Sequence, residues 1–297
     1  NIKLDNSTLN VYEGFAVGAR PASETGGVQR TVTMDITNGS NVIVKNHNGQ
    51  GLGYESKGIM NIDATSTFET TQSFLVTADG TMNVNGGNVK VVGTLTNAGT
   101  VYVTGAANLD ATVTGDGWFY MNSVTLDADT KLLGAKVGFI NGENTIVAST
   151  IKDGWFSVGI GKNTDAETAA AFAEANGITL GDVTVNVSDN ANIGGNGETY
   201  SGWVGSAYSA DKTQHTYVLN VENSLAAFGY MHVSKDGTLT VDGRSAAENR
   251  YTHDNANVNF YAGDLIVNGV VTLNNADAWA KYTKISPDAA DGILNIN

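Results

Sequence analysis

The segment "VTADGTMNVNGG" at residues 76–87 returns in closely similar form as "VSKDGTLTVDGR" at residues 233–244. Both segments have a valine, the triplet Asp-Gly-Thr, an apolar residue, a second valine and a glycine at the same positions. Each has the pattern of a strand end, a tight turn and a second strand in which apolar and polar residues alternate. The recurrence of this unit about half a chain later predicts that one structural element is used several times.

Related units occur elsewhere in the chain at variable intervals. The pattern Gly-[Thr/Asp]-apolar-x-Val-x-Gly is found four times, at residues 80–86, 99–105, 237–243 and 263–269. The tetrapeptide "DGWF" occurs twice, at residues 116–119 and 153–156, with the similar "VGFING" between the two copies. These spacings indicate a degenerate period of roughly 18–19 residues, which is typical of a β-solenoid whose coils stack like residues on one another. We interpret the four glycine-containing units as equivalent pieces of different coils.

Composition and local pattern favour an all-β chain. Short segments such as "TLNVYE", "NVIVKN" and "DVTVNVSD" alternate with period two. The chain has 36 glycines and only two prolines, and Asn-Gly or Asp-Gly often separates the alternating segments, as expected of tight turns between strands. We therefore predict a single parallel β-helical domain over residues 1–297. A β-sandwich is the main alternative, although it would not require the recurring glycine unit.

Four stretches interrupt the strand pattern and are predicted insertions: residues 18–30, 162–177, 195–215 and 243–257. The second of them contains the one good helix signal, over about residues 165–176. Thr164 and Glu167 form a capping box at its start, and Asn176-Gly177 is a typical end. Loops that leave a rigid scaffold are where recognition residues usually lie.

The aromatic residues are the candidate binding residues. In a strand the consecutive Trp and Phe of "DGWF" must point to opposite sides, so Trp118 and Trp155 would lie outside if the phenylalanines lie inside. Outward tryptophans could stack on sugar rings or anchor a protein partner, whereas the alternative is that they pack within the coils. Tyr200, Trp203 and Tyr208 lie in the third predicted insertion and are likewise candidate contact residues.

Several classes of function have no support in the sequence. The carboxylates are scattered beside turns, the four histidines lack metal-ligand spacing, and cysteine is absent, so no catalytic residue, metal site or cofactor is predicted. The net charge of −14 disfavours binding to nucleic acid. No apolar run reaches the ~18–20 residues of a membrane helix, so no membrane insertion is expected in this segment. The chain begins at Asn1, which we interpret as a mature form or a piece of a longer protein.

Over residues 30–110 and 180–275 the chain resembles the passenger domains of bacterial autotransporter adhesins and related β-helical surface proteins. The resemblance rests on the short alternating strands, on units such as "GTLTVDG" and "GDLIVNG", and on an Asn-, Thr- and Gly-rich composition of low charge without cysteine. It implies a right-handed parallel β-helix, export to the bacterial cell surface, and a role in adhesion or self-association. No individual functional residue can be transferred from the family.

Three functions are consistent with these observations. The favoured hypothesis is an extracellular adhesion or binding module that recognises a host or microbial surface glycan or protein, or another copy of itself. The second is a β-helical enzyme that processes polysaccharides, which would need several carboxylates in one cleft. The third is a purely structural spacer, a surface-layer component or a fibre segment, which would have no pocket and no outward aromatic cluster.

Overall fold

The computed structural model describes residues 1–18, 29–45, 50–161, 171, 174–175, 179–194, 200–206, 215–285 and 291–297. These residues form two compact units, each of which is described by itself. The first unit comprises Asn1–Tyr120 and Val124–Lys136, and the second comprises Met121–Ser123 and Val137–Asn297.

Short strands make up most of both units. Those of the first unit are β1 (Ile2–Asp5), β2 (Thr8–Val11), β3 (Phe15–Val17), β4 (Thr31–Thr37), β5 (Asn41–Val44), β6 (Gln50–Leu52), β7 (Lys57–Ile62), β8 (Thr67–Thr70), β9 (Phe74–Val76), β10 (Gly80–Asn85), β11 (Asn88–Asn97), β12 (Thr100–Thr104), β13 (Asn108–Thr114), β15 (Thr125–Leu126) and β16 (Thr130–Leu133). Two further strands, β14 (Trp118–Asn122) and β17 (Lys136–Val147), have residues in both units.

The strands of the second unit are β18 (Thr150–Lys152), β19 (Trp155–Gly161), β20 (Val183–Ser188), β21 (Asn192–Gly194), β22 (Ser201–Ser206), β23 (Tyr217–Glu222), β24 (Leu225–Val233), β25 (Gly237–Asp242), β26 (Tyr251–His253), β27 (Ala256–Val258), β28 (Phe260–Val267), β29 (Val270–Asn274), β30 (Ala278–Ile285) and β31 (Ile293–Ile296). Strands β26 and β27 form an antiparallel hairpin. The pairings within the rows described below are parallel, which confirms the predicted all-β parallel β-helix.

The coils of the first unit place their strands in three parallel rows. Row 1A consists of β1, β4, β7, β10 and β12. Row 1B consists of β2, β5, β8 and the first halves of β11 and β13. Row 1C consists of β3, β6, β9, the second halves of β11 and β13, and β16. Each coil therefore contributes one strand segment to each row.

Equivalent apolar residues stack inside the first unit. In row 1A, Met34, Met60 and Met82 lie directly opposite one another in successive strands, and each is fully buried. Phe68 packs on Phe15 and Phe74, with ring centroids 5.9 Å and 5.0 Å away. The alternating sequence pattern thus places one side of every strand in the interior, as period two requires.

The second unit also has three parallel rows. Row 2A consists of β19, β22 and the second parts of β24, β28 and β30. Row 2B consists of the second part of β17, then β20, β23, β25, β29 and β31. Row 2C consists of β18, β21 and the first parts of β24, β28 and β30. In its interior Phe228 packs on Phe156 and Tyr200, with centroid distances of 6.1 Å and 5.5 Å.

The two similar segments at residues 76–87 and 233–244 each contain a corner between two strands of a coil. Val76 ends β9 and Gly80 begins β10, while Val233 ends β24 and Gly237 begins β25. A Cβ atom on Gly80 would lie 2.5 Å from the carbonyl oxygen of Leu52, which is the residue opposite Val76 in the preceding coil. A Cβ atom on Gly237 would likewise lie 2.4 Å from the carbonyl oxygen of Val204, opposite Val233. Glycine recurs because the corner of one coil sits directly on the backbone of the coil before it.

The predicted period holds over only part of the chain. Thr81 lies opposite Thr100, 19 residues later, but Gly142 lies opposite Val183, 41 residues later. The assignment of the fourth glycine unit was also wrong. Thr238 lies opposite Val270, so the corner equivalent to Gly237 begins at Gly269 and not at Gly263. Coil length varies because the connections between strands, and not the strands themselves, absorb extra residues.

The predicted insertions are described only in part. Residues 19–28, most of 162–177, and 195–199 with 207–214 lie outside the described residues. Most of the helix predicted over about residues 165–176 falls there, and its described residues 171 and 174–175 are helical. Residues 201–206, which were assigned to the third insertion, form β22 of row 2A. Residues 251–257 of the fourth predicted insertion belong to the hairpin of β26 and β27, which ends at Val258. Within the described part of the chain, no helix has the length and apolar character to cross a bilayer.

Candidate functional site

The strands of row 2A carry aromatic side chains on their outer side. Phe156 and Val158 of β19 are fully buried, and the alternate residue Trp155 is half-buried. In β24, Met231 and Val233 are fully buried, and the alternate residues Tyr230 and His232 are half-buried. We call Trp155, Trp203, Tyr230 and His232 the row 2A aromatic surface.

Strand register brings these four rings into contact. Trp203 lies directly opposite His232 in the next strand, and their rings stack with centroids 4.1 Å apart and an interplanar angle of 13°. Trp155 lies diagonally from Trp203, and their rings are 6.3 Å apart at 17°. Tyr230 completes the group, 6.0 Å from Trp203. These four residues are spread over 78 positions of the sequence, from 155 to 232, and their rings therefore come together only because the chain coils.

Polar contacts hold the surface in place. The indole N–H of Trp203 donates a hydrogen bond of 3.1 Å to Oγ of Ser234. The hydroxyl of Tyr230 lies 3.2 Å from Nδ1 of His232, and Nδ2 of Asn268 lies 3.4 Å from its Nε2. Both ring nitrogens of His232 are thus engaged, which fixes the orientation of the imidazole on Trp203. Among the described residues the indole N–H of Trp155 has no hydrogen-bond acceptor.

The five predicted contact residues have different environments. Trp155 and Trp203 belong to the row 2A aromatic surface, although Trp203 is only 7% exposed. Trp118 is half-buried in the first unit, where it stacks on Tyr120 at 5.0 Å. Tyr208 lies outside the described residues.

Tyr200 is an interior residue and does not lie on the surface. Its side chain is 1% exposed, and its ring stacks on that of Phe228 at an interplanar angle of 20°. Burial raises the pKa of the Tyr200 phenol well above its ordinary value, and the negative charge of Asp153 adds to this shift. The sequence suggested a contact residue because Tyr200 lies in a polar, glycine-rich stretch, but the backbone there enters β22. A direct contact between Tyr200 and a large ligand is therefore not available.

A second prediction was that the Trp and Phe side chains of each "DGWF" segment point to opposite sides of the strand. Phe119 and Phe156 are fully buried, whereas Trp118 and Trp155 are half-buried. The phenylalanines therefore face the interior and the tryptophans the outer side of their units. The amine Nζ of Lys136 lies over the ring of Trp118, 5.8 Å from the ring centre.

A second aromatic group lies where the β26–β27 hairpin covers the outer side of row 2C. Tyr261 and Trp279 lie opposite each other in β28 and β30, and their rings are 5.1 Å apart and nearly parallel, at 4°. Tyr251 and His253 of the hairpin pack on them, with His253 4.2 Å from Trp279 and Tyr251 4.4 Å from Tyr261. We call these four residues the hairpin cluster.

Ion pairs and hydrogen bonds anchor the loop that carries the hairpin. The guanidinium of Arg250 donates to a carboxylate oxygen of Asp277 at 2.8 Å, and Arg244 lies 3.3 Å from the other oxygen. The side-chain amide of Asn249 donates to the carbonyl oxygens of Asn190 and Ala191 at 2.6 Å and 3.1 Å. The loop predicted as an insertion at 243–257 is thus attached to the coils at both its polar part and its aromatic part.

Sequence reasoning missed most of these aromatic residues. Tyr230, His232, Tyr261 and Trp279 were not singled out as contacts, although the alternation in "FGYMHV" places Tyr230 and His232 on the same side of a strand. The signal was present, but without the register nothing showed that these rings meet. Among the described residues, no group of three or more His, Asp or Glu side chains is arranged to hold a metal ion.

Comparisons of the chain with protein-family models, with characterised proteins and with solved structures return no match.

Proposed function

We propose that this chain is a secreted or surface-displayed bacterial β-helical binding module that recognises a glycan or a protein, or a second copy of itself. The observation that carries the proposal is the row 2A aromatic surface. Its rings lie on the outer side of strands whose inner side already fills the core. Trp and Tyr are enriched at binding surfaces because they offer a large apolar face together with a polar tip.

The arrangement of the rings suits recognition of a flat or ring-shaped partner. Trp155, Trp203 and His232 lie on adjacent strands, so their spacing follows the ~4.8 Å strand separation of a sheet. The stacking and hydrogen bonds around His232 restrict its side-chain rotation before any partner binds. A preorganised surface loses less conformational entropy on association than a flexible one.

Composition supports an extracellular location. The chain has no cysteine, so its folding does not depend on disulfide chemistry, and its acidic surface favours solubility. The short alternating strands and the Asn-, Thr- and Gly-rich composition resemble autotransporter passenger domains, which is consistent with display at a bacterial cell surface. The same acidity argues against nucleic acid as the partner.

The test is a glycan-array and cell-adhesion measurement with the whole chain and with Trp155→Ala. Trp155 is half-buried, so the variant should keep its circular dichroism spectrum while binding falls about tenfold or more, as for an aromatic hot spot. Tyr12→Ala is the matched control, because Tyr12 is 66% exposed and lies in the first unit. Self-association is measured in parallel by sedimentation.

Unchanged binding by the folded Trp155→Ala variant would remove the row 2A aromatic surface from the proposal. If the chain binds no glycan, no cell surface and no second copy of itself, the binding function fails and a structural spacer becomes the better explanation.

One observation favours an enzyme as the second candidate. In the first unit a cleft of about 360 Å³ brings Asp110 and Asp129 together with Lys90 and Lys131. Paired carboxylates are the usual machinery of glycoside hydrolysis. However, Lys90 already pairs with Asp110 at 2.9 Å, and no aromatic side chain lines this cleft. Release of reducing ends from polysaccharides, abolished in Asp129→Asn, would establish the enzyme.

A further inference from the structure

A cleft of about 290 Å³ opens in the second unit between the hairpin cluster and row 2A. It lies where β24 and β28 pass from row 2C to row 2A, at Gly229 and Gly263. These two glycines interrupt the ladder, which pairs Phe228 with Ala262 and then resumes with Tyr230 and Asp264. The cleft volume is at the lower end of the ~300–1,000 Å³ range of small-molecule pockets. It therefore suits a ligand of one or two rings.

The floor of the cleft is bare backbone. A Cβ atom on Gly263 would lie 2.3 Å from the carbonyl oxygen of Gly229, so a side chain at this position would collide with the preceding coil. Both glycines are half-buried and line the cleft. Glycine at these positions therefore lets the two coils approach each other closely where the cleft opens.

Side chains of two different kinds line the cleft beside these glycines. On the hairpin side, Tyr261 and His253 line the cleft with ring centroids 5.1 Å apart. Both rings also pack against Trp279, at 5.1 Å and 4.2 Å, which holds them in one position. On the row 2A side, Asp264 and Tyr282 lie directly opposite each other in adjacent strands. Tyr282 is 59% exposed, so part of its ring is accessible to a ligand.

The charged groups of the cleft have unused bonding capacity. The carboxylate of Asp264 has no hydrogen-bond or ion-pair partner among the described residues, although its side chain is half-buried. The amine of Lys281 lies 5.6 Å above the ring centre of Tyr282. An unpaired, half-buried carboxylate loses part of its hydration, so a ligand that donates hydrogen bonds to it would restore what water no longer supplies.

We infer that this cleft binds one neutral hexopyranose unit of a glycan, an inference that rests on the binding function proposed above and names its ligand class. The apolar face of the sugar ring would lie on Tyr282. Two adjacent hydroxyl groups would donate to Asp264, and a third would accept a hydrogen bond from Lys281. Asp264 and the overall acidity select against a sugar acid, because its carboxylate would be repelled.

The experiment is an NMR titration of the whole chain with the methyl glycosides of glucose, galactose and mannose. At least one of them should bind saturably with a dissociation constant on the order of 1 mM, the affinity that a ligand of this size reaches. Tyr282→Ala and Asp264→Asn should each weaken that binding about tenfold or more without changing the fold, because Tyr282 is exposed and Asp264 is unpaired. Methyl glucuronide should bind more weakly than methyl glucoside.

Two control variants remove the same chemistry elsewhere. Tyr12→Ala removes an exposed tyrosine in the first unit, and Asp242→Asn removes an exposed carboxylate at the end of β25. Both should bind like the parent chain. The inference would be overturned if none of the three glycosides bound saturably, or if the Asp264→Asn and Tyr282→Ala variants both bound as tightly as the parent chain. Stronger binding of the glucuronide would overturn the preference for a neutral sugar.

The outcome can be separated from the fate of the proposed function. If Trp155-dependent adhesion persists while no methyl glycoside binds, the cleft inference fails and the binding module stands. If the glycosides bind at the cleft and adhesion is absent, the cleft is a site of its own and the adhesion function fails.

Discussion

From β4 to β10, the column of outer side chains at Asp35, Asn61 and Asn83 in row 1A of the first unit is polar, whereas row 2A of the second unit carries aromatic rings on its outer side. In row 1A, the side-chain amide of Asn61 donates to Asp35 at 2.7 Å, and that of Asn83 donates to Asn61 at 2.8 Å. In row 2A, Trp203 stacks on His232 at 4.1 Å. Both arrangements are columns of like residues on adjacent strands, one satisfied internally by hydrogen bonds and one with large apolar faces.

The inner sides of the same rows are alike. Met34, Met60 and Met82 stack in row 1A, and Val204 and Val233 stack in row 2A, all of them fully buried. The comparison shows that the inward pattern maintains the coil, while the outward pattern can change without cost to it. We therefore expect binding residues on the outer side whose side chains are least engaged in hydrogen bonds with one another.

The largest expected effect tests whether the interiors of the two units are equivalent. Phe68→Ala in the first unit and Phe228→Ala in the second should each lower the free energy of unfolding by about 3–5 kcal/mol, because each removes a fully buried ring and leaves a cavity. Chemical denaturation measures both. A loss below about 1 kcal/mol in one variant alone would show that the two interiors are packed differently.

The next prediction tests the glycine corner that occurs once in each unit, at Gly80 and at Gly237. Gly80→Ala and Gly237→Ala should each destabilise the chain by about 1–3 kcal/mol or more, since the new Cβ would overlap a carbonyl oxygen of the preceding coil. The control is Gly39→Ala, which has φ of +76° but no atom within 4 Å of the added Cβ. It should cost less, about 1 kcal/mol, from backbone strain alone. Equal losses in all three variants would contradict the steric explanation.

The smallest effect concerns Asp63, at a corner of the first unit. Burial opposes its ionisation, but hydrogen bonds from the backbone N–H of Asn38, from Ser66 and from Thr65 outweigh burial and lower its pKa to about 2, from 3.8. Because the folded pKa is depressed, the stabilisation is fully present above about pH 4 and is lost as the pH falls toward 2. Asp63→Asn should therefore be less stable than the parent at pH 6 and nearly equal to it near pH 2. Acid and urea titrations at a series of pH values measure the difference, and a constant gap over that range would rule out ionisation as its cause.

Much of the architecture follows from local sequence. Period-two alternation predicts that the consecutive Trp and Phe of "DGWF" point to opposite sides, and in the structure the phenylalanines are inside and the tryptophans on the outer side. The shared segments at 76–87 and 233–244 predicted equivalent corners, and in both a strand begins with a glycine whose added Cβ would overlap the backbone of the preceding coil. These features are local because they depend on the geometry of a strand and a turn.

The candidate sites could not be predicted in the same way. Trp203 meets His232, and His253 meets Trp279, only because coils of unequal length bring those residues into register. Tyr200 looked like a loop residue by composition, but its ring fills the core. The equivalence of Gly263 with Gly237 failed for the same reason, since the glycine pattern does not reveal how many residues a coil contains.

By itself, the sequence favoured parallel coils, determined which residues of each strand are apolar, and identified the glycine corners in the segments 76–87 and 233–244. Only the tertiary structure decided which outward residues become neighbours, and hence that Asp264 and Tyr282 line one cleft together with Tyr261 and His253. The physical reason is that strand and turn preferences act over a few residues. Contacts between coils instead depend on the number of residues per coil. This number is 19 in one place and 41 in another, and no local rule sets it.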